Sequence, residues 1–162
     1  MMAISCADKT TKEMDFTTLP LITVEEHFSA QEIIDANAKY AYLKPKPTGK
    51  MAEAARFFAG RRLIGEDLLD IDGKRLHHMD SLGIGMQILS FTAPIDNVVP
   101  ADEAVQMARR ANDILASRAS QHPDRFRAMA TLPMADPEAA AAELERCVRE
   151  VGMGGGVVGG WV

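Results

Sequence analysis

Short apolar runs alternate with helical periodicities along most of the chain. The apolar runs predict strands at residues 19–24, 84–91, 126–132 and 157–158. Apolar residues spaced near 3.6 positions apart predict helices between these strands. Their expected ranges are residues 30–39, 51–60, 72–82, 100–121 and 136–151. Alternation of buried strands with helices is typical of parallel β/α units.

Polar residues mark where several helices begin. Ser29, with Glu32 three residues later, forms a capping-box pattern for the first helix. Either Asp70 or Asp72 opens the helix before the second strand, and Asp136, followed by proline, opens the last helix. Residues 40–50 lie between the first two predicted helices, and we expect them to form a loop of the kind that covers an active site.

Four predicted strands are half the number in a (β/α)8 TIM barrel, which needs roughly 250 residues. We therefore expect a partial TIM barrel of about four β/α units, with residues 1–18 as a polar leader and 19–162 as the barrel part. An open doubly wound sheet is the alternative, although no glycine-rich phosphate turn follows the first strand. Open strand edges predict self-association or poor solubility of the isolated chain.

Composition excludes several classes of protein. The chain has 162 residues, 47% of them hydrophobic, and a net charge of −5, which argues against nucleic-acid and anionic-membrane partners. No apolar run reaches the 18 or more residues of a membrane span, and no secretory signal pattern is present. Cys6 and Cys147 form no metal-binding spacing. We expect two free thiols and a cytoplasmic location.

Candidate metal ligands follow the first predicted strand. Glu25 and His27 lie two positions apart, so a regular strand would present both side chains on one face. At the carboxyl end of a barrel strand that face points into the mouth of the barrel. A carboxylate and an imidazole converging there suit Zn²⁺ or Mn²⁺. Glu26 would then point the other way, toward the helices or loops. The alternative is a solvated strand end.

Other polar and aromatic residues near the strand ends are candidates for binding a substrate. Ser90 and Thr92 lie at the carboxyl end of the second predicted strand, where a structural role in the turn is the alternative. Phe28 is a candidate wall of an aromatic pocket or a packing residue under the loop. His77 and His78 diverge by about 100° on a helix, so they cannot chelate one ion together.

The sequence around His27 resembles the first-strand motif of the amidohydrolase-related decarboxylases. This family includes γ-resorcylate, 2,3-dihydroxybenzoate and 5-carboxyvanillate decarboxylases. Six further segments carry the resemblance: 68–71 (LLDI), 75–84 (RLHHMDSLGI), 87–94 (QILSFTAP), 108–113 (ARRAND), 122–126 (HPDRF) and 131–138 (TLPMADPE). Each segment alone is weak, whereas their order and spacing together are specific.

The resemblance implies a distorted barrel with one divalent metal, Zn or Mn, held partly by Glu25 and His27. A further His and an Asp of that family's ligand set would lie beyond Val162, together with the group that protonates the substrate ring. The implied reaction is decarboxylation of a small hydroxylated aromatic acid by a homo-oligomeric enzyme, with this portion alone inactive. A hydrolase of the same family and a non-catalytic interaction module are the alternatives.

Overall fold

Four parallel strands form one sheet in the order of the sequence. A computed structural model describes residues 20–44, 46–60 and 65–158, so the predicted leader at 1–18 lies outside the described residues. The strands are β1 (Leu21–Phe28), β2 (Ile84–Phe91), β3 (Phe126–Thr131) and β4 (Gly155–Val157). The order β1-β2-β3-β4 is the one expected when each helical crossover joins neighbouring parallel strands.

Helices connect the strands, as the periodicity predicted. They are α1 (Gln31–Lys39), α2 (Gly49–Gly60), α3 (Gly65–Leu69), α4 (Lys74–Leu82), α5 (Ala101–Ala119) and α6 (Pro137–Arg146). A π-helical turn, Cys147–Val151, extends α6, and short 3-10 turns span Ala41–Leu43 and Ile95–Asn97. The short helix α3 is an addition to the sequence prediction.

Asp136 caps its helix as predicted, Asp70 supports the start of α4 from outside the N-cap residue Gly73, and the serine cap is absent. Asp136 accepts a hydrogen bond from the Ala139 N–H at 3.0 Å and so caps α6. The carboxylate of Asp70 accepts the Gly73 N–H at 2.8 Å, just before α4. The prediction for Ser29 is wrong: the N-cap of α1 is Ala30, without a side-chain hydrogen bond. Ser29 is buried, and its own N–H donates to the Leu68 carbonyl at 3.0 Å.

The two faces of the sheet differ in burial. Phe126 and Ala128 of β3 pair in register with Gln87 and Leu89 of β2, and all four side chains are buried. Arg127, which lies between the two β3 residues, is exposed on the opposite face. Helix α5 packs on β3 and contributes small buried residues to the shared core. The sheet curls, so the predicted half-barrel is confirmed.

A buried polar network joins α5, β3 and α6. The Asn112 side chain accepts the Thr131 N–H at 2.9 Å and donates to the Thr131 carbonyl and to the Glu143 carboxylate. Arg146 donates to both Glu143 oxygens, at 2.8 and 2.7 Å, and to Asp113 at 2.8 Å. Asn112 is fully buried and Glu143 is only 3% exposed. The network therefore fixes the carboxyl end of β3 against both helices.

Candidate functional site

His27 lies near the carboxyl end of β1, on the face of the sheet opposite the core. It pairs in register with Ser90 of β2, so the two side chains share that face. The adjacent register pair, Glu26 with Leu89, faces the other way, and Leu89 is fully buried. His27 itself is exposed. Its imidazole is therefore open to a ligand.

The strand is irregular just before His27. The register between β1 and β2 shifts between Thr23 and Glu26, where three steps along β1 match two steps along β2. Such a shift is a β-bulge, which interrupts the alternation of side chains between faces. Glu25 lies within this bulge, and the direction of its side chain lies outside the described part of the structure. Its position on the same face as His27 stays a prediction.

The three residues predicted to contact a substrate occupy different environments. Ser90, beside His27, is 7% exposed, whereas Thr92, just after β2, is exposed. Phe28 is 2% exposed, and its ring lies edge-on to Phe91 with centroids 5.8 Å apart. Phe28 alternates with His27 along β1, so it lies on the core face. Their roles toward a substrate stay predictions.

Arg75, at the start of α4, connects four segments at this end of the molecule. Its guanidinium donates to the His27 carbonyl at 2.7 Å, to the Asp70 carbonyl at 2.9 Å and to Gln87 Oε1 at 3.2 Å. Its main-chain N–H donates to the Asp70 carboxylate at 3.0 Å. This role of Arg75 could not be predicted from the sequence, because the spacing of α4 marks apolar positions and carries no signal for a contact 48 residues away.

Electrostatics around Arg75 follow from its partial burial. Desolvation lowers the pKa of Arg75, and the negative charges of Glu26, Asp70 and Asp67 oppose that effect. The Gly73 N–H lowers the pKa of Asp70 below its usual value, against a smaller effect of burial, and further main-chain donors add to the lowering. Both groups stay charged at neutral pH.

The remaining histidines and the described cysteine lie away from this face. His77 and His78 are exposed on α4. The Nε2 atom of His122 lies 2.7 Å from the Asp72 carboxylate. Cys147 is a buried free thiol, and burial together with the adjacent Glu143 raises its pKa to about 12. That thiol is therefore unreactive at neutral pH.

Within residues 20–44, 46–60 and 65–158, no group of three or more His, Cys, Asp or Glu side chains is placed to hold a metal ion. The helices of the same residues include none that is long and apolar enough to cross a bilayer. The described part of the candidate site is thus one exposed imidazole beside a buried serine. Any metal bound there would need further ligands.

Several γ-resorcylate decarboxylases are similar in sequence to this chain. The chain is 40% identical over 141 residues to γ-resorcylate decarboxylase of Polaromonas sp., which covers 86% of this chain and 39% of that protein. It is 38% identical over 141 residues to γ-resorcylate decarboxylase of Rhizobium radiobacter, and the aligned region covers 86% of this chain and 38% of that protein. The chain therefore spans about two fifths of the length of these relatives.

Solved structures show the same architecture. One is a dihydroxybenzoic acid decarboxylase from Polaromonas sp. with bound manganese and the inhibitor 2-nitroresorcinol. It has a TM-score of 0.64 and 40% identity, over 87% of this chain and 38% of that one. Another is 5-carboxyvanillate decarboxylase from Novosphingobium aromaticivorans, complexed with manganese and 4-hydroxy-3-methoxy-5-nitrobenzoic acid. Its TM-score is 0.72 at 35% identity, with coverage of 85% and 41%.

The family comparison agrees with these relatives. Residues 23–159 match the family model described as Amidohydrolase, which is most of the chain. The matched region begins within β1 and extends beyond β4, so it includes most of β1 and all of β2, β3 and β4. The predicted resemblance is confirmed, and the chain belongs to the amidohydrolase family.

Proposed function

We propose that this chain is the N-terminal portion of a metal-dependent decarboxylase that acts on a hydroxylated aromatic acid. In this proposal Glu25 and His27 supply two ligands to a divalent metal, Mn²⁺ or Zn²⁺. The observation that carries it is the exposed His27 imidazole on the open face of β1, two residues after Glu25. Manganese in the named relatives supports the choice of metal.

The donor types fit such a metal, although their number does not complete its shell. A neutral imidazole and a carboxylate are ordinary ligands of Mn²⁺ and Zn²⁺. Catalytic zinc sites typically have three protein ligands and keep one position open. The described residues offer no group of three. The proposal therefore includes further ligands from residues outside the described part.

The residues of this chain have defined tasks in the proposed reaction. When bound, a divalent cation supplies Lewis-acid stabilisation of negative charge on phenolate and carboxylate oxygens. His27 must present a neutral nitrogen, because a protonated imidazole cannot act as a ligand. The Ser90 and Thr92 hydroxyls are proposed to hydrogen-bond the acid. For Phe28, which is buried on the core face against Phe91, packing is favoured over a place in the aromatic wall. A cytoplasmic location and a homo-oligomeric state belong to the same proposal.

Decarboxylation is favoured over hydrolysis by the named relatives. Four γ-resorcylate decarboxylases are 38–40% identical to the chain over 141 residues. A hydrolase of the same family would use a metal-activated water on an ester or amide substrate. Release of CO₂ from a hydroxybenzoate distinguishes the two reactions directly.

The proposal is tested on the complete encoded polypeptide loaded with Mn²⁺. We expect bound metal and CO₂ release from 2,6-dihydroxybenzoate. His27→Ala should weaken Mn²⁺ binding by more than the about 10–100-fold that follows loss of an outer hydrogen-bond partner. His78→Ala, an exposed histidine on α4, is the matched control and should bind Mn²⁺ like the unchanged protein.

Two results would contradict the proposal. One is equal Mn²⁺ affinity for the His27→Ala variant and the unchanged protein. The other is a metal-loaded protein that hydrolyses esters or amides but releases no CO₂ from any hydroxybenzoate. A reading frame ending at Val162, without metal binding or CO₂ release, would favour the non-catalytic alternative.

A further inference from the structure

The guanidinium of Arg75 binds the main chain of the candidate ligand strand. One of its nitrogens donates to the His27 carbonyl at 2.7 Å, while two others bind the Asp70 carbonyl at 2.9 Å and Gln87 Oε1 at 3.2 Å. Gln87 is a buried residue of β2, and Asp70 immediately precedes α4. A single planar side chain therefore ties β1 to β2 and to the start of α4.

This contact lies just beyond the irregular stretch of the strand. The bulge between Thr23 and Glu26 breaks the register of β1 on β2, and pairing resumes only at Glu26. Beyond the bulge, two hydrogen bonds to groups outside the sheet also hold the end of β1. They are the Arg75 bond to the His27 carbonyl and the Ser29 N–H bond to the Leu68 carbonyl at 3.0 Å. The His27 peptide is thus held by its pairing with β2 and by groups from α3 and α4.

We propose that Arg75 is a positioning residue that fixes the His27 peptide, and with it the imidazole, in the orientation needed to bind the metal. This inference rests on the proposed function and extends it to a residue that does not touch metal or substrate. Partners that orient a metal ligand are worth about 10–100-fold in metal affinity when they are removed.

Lysine cannot replace Arg75 in this role. The guanidinium presents its donors in a rigid fork, and here three of its nitrogens each have a separate acceptor. A lysine ammonium keeps the charge but is a point donor on a flexible stem. Arg75→Lys therefore retains the charge beside Glu26 and Asp70 and loses the fixed geometry.

Arg125 provides a matched control at the opposite end of β2. Its guanidinium donates to the Gly85 carbonyl at 3.1 Å, to the Ile84 carbonyl at 3.2 Å and to the Asp80 carboxylate at 2.8 Å. Arg125→Lys thus removes the same kind of main-chain anchor, but from the amino end of the strand. A purely structural effect should appear in both variants, whereas a positioning effect should appear only in Arg75→Lys.

The experiment compares the two variants in the full chain by amide hydrogen exchange and by Mn²⁺ titration. In Arg75→Lys we expect the Ser29 amide to exchange about 10–100-fold faster, the factor for losing a hydrogen bond to a charged group. We expect Mn²⁺ affinity to fall by about 10–100-fold in the same variant. Arg125→Lys should leave both measurements unchanged, even if its thermal stability falls equally.

Each outcome decides the inference. Equal Ser29 exchange in the two variants would overturn it, as would unchanged Mn²⁺ affinity in Arg75→Lys when the unchanged protein binds Mn²⁺. If the unchanged protein binds no Mn²⁺, the proposed function fails, and Ser29 exchange alone decides whether Arg75 orients the His27 peptide. Should Arg75→Lys not fold, Gln87→Met, which removes one guanidinium acceptor, must show the same changes at smaller size.

Discussion

The carboxyl ends of β1 and β3 are built in opposite ways. At β3, the Asn112 side chain hydrogen-bonds both the N–H and the carbonyl of Thr131. Glu143 is only 3% exposed, and its carboxylate accepts hydrogen bonds from the side chains of Asn112, Arg146 and Cys147. At β1, the His27 side chain is exposed, and its peptide is anchored by Arg75. One end thus uses its polar groups to hold the fold, and the other keeps an imidazole available.

The difference follows from the cost of burying charge. A buried carboxylate is tolerated only when it is fully hydrogen-bonded, so Glu143 requires its arginine and amide partners. An imidazole that binds a metal must be accessible and unprotonated. As an exposed side chain, His27 contributes little to the stability of the metal-free fold. In this molecule stability and proposed function therefore reside on different strands, and mutations should separate them.

The largest effect on stability is expected from Glu143→Ala. The substitution leaves Arg146 and the Asn112 amide without their buried acceptor, and breaking a buried pair in this way costs about 3–5 kcal/mol. Urea unfolding measures the change in the free energy of unfolding. Glu145→Ala removes an exposed pair with Arg149 and should cost about 0.5 kcal/mol or less. Similar losses of unfolding free energy in the two variants would show that the buried network contributes no more to stability than an exposed ion pair.

Lowering the pH should weaken the same network more gradually than the Glu143→Ala substitution does. Burial raises the pKa of Glu143, but hydrogen bonds from Arg146, Asn112 and Cys147 outweigh burial and hold the pKa below its usual value. Below about pH 4.3, unfolded glutamate takes up a proton while folded Glu143 stays ionised. The unfolded state then binds more protons, so stability falls as the pH falls toward the pKa of folded Glu143.

This acid dependence is measured by urea unfolding between neutral pH and the acid limit of folding. Glu143 should contribute a slope of up to about 1.4 kcal/mol per pH unit, which the Glu143→Gln variant lacks. Glu145→Gln serves as the control, because it keeps Glu143 and with it the Glu143 contribution to the slope. The lowered pKa of Asp70 contributes in the same direction and persists in both variants. If the pH profile of Glu143→Gln ran parallel to that of the unchanged protein, the pKa of Glu143 would not be lowered in the folded state.

The smallest effect on stability is expected at the candidate ligand itself. His27→Ala removes an exposed side chain and should change the free energy of unfolding of the metal-free protein by about 0.5 kcal/mol or less. Thermal unfolding without added metal measures it, with His78→Ala as the control. A loss as large as that expected for Glu143→Ala would show that His27 serves the fold and would argue against its role as an available ligand.

The sequence predicted the framework because its signals are local. The apolar run at β2 gave the observed bounds, Ile84–Phe91, and the predicted start of β3 is the observed one. The proline-associated start of α6 was correct, because Asp136 accepts a main-chain N–H within its own helix turn. Ser29 failed as a cap, because tertiary contact with Leu68 draws its N–H into the core. A local motif is unreliable where a distant group competes for the same donor.

By itself, the sequence determined the parallel order of β/α units, the family and the position of Glu25 and His27 at the end of β1. Periodicity and short motifs encode these features within a few neighbouring residues. Only the tertiary structure decided the bulge at Glu25, the Arg75 contact with His27 and the closure of the Asn112–Glu143 network. The Arg75 contact with His27 joins residues 48 positions apart and the Asn112–Glu143 contact joins residues 31 positions apart, and only packing sets such distances.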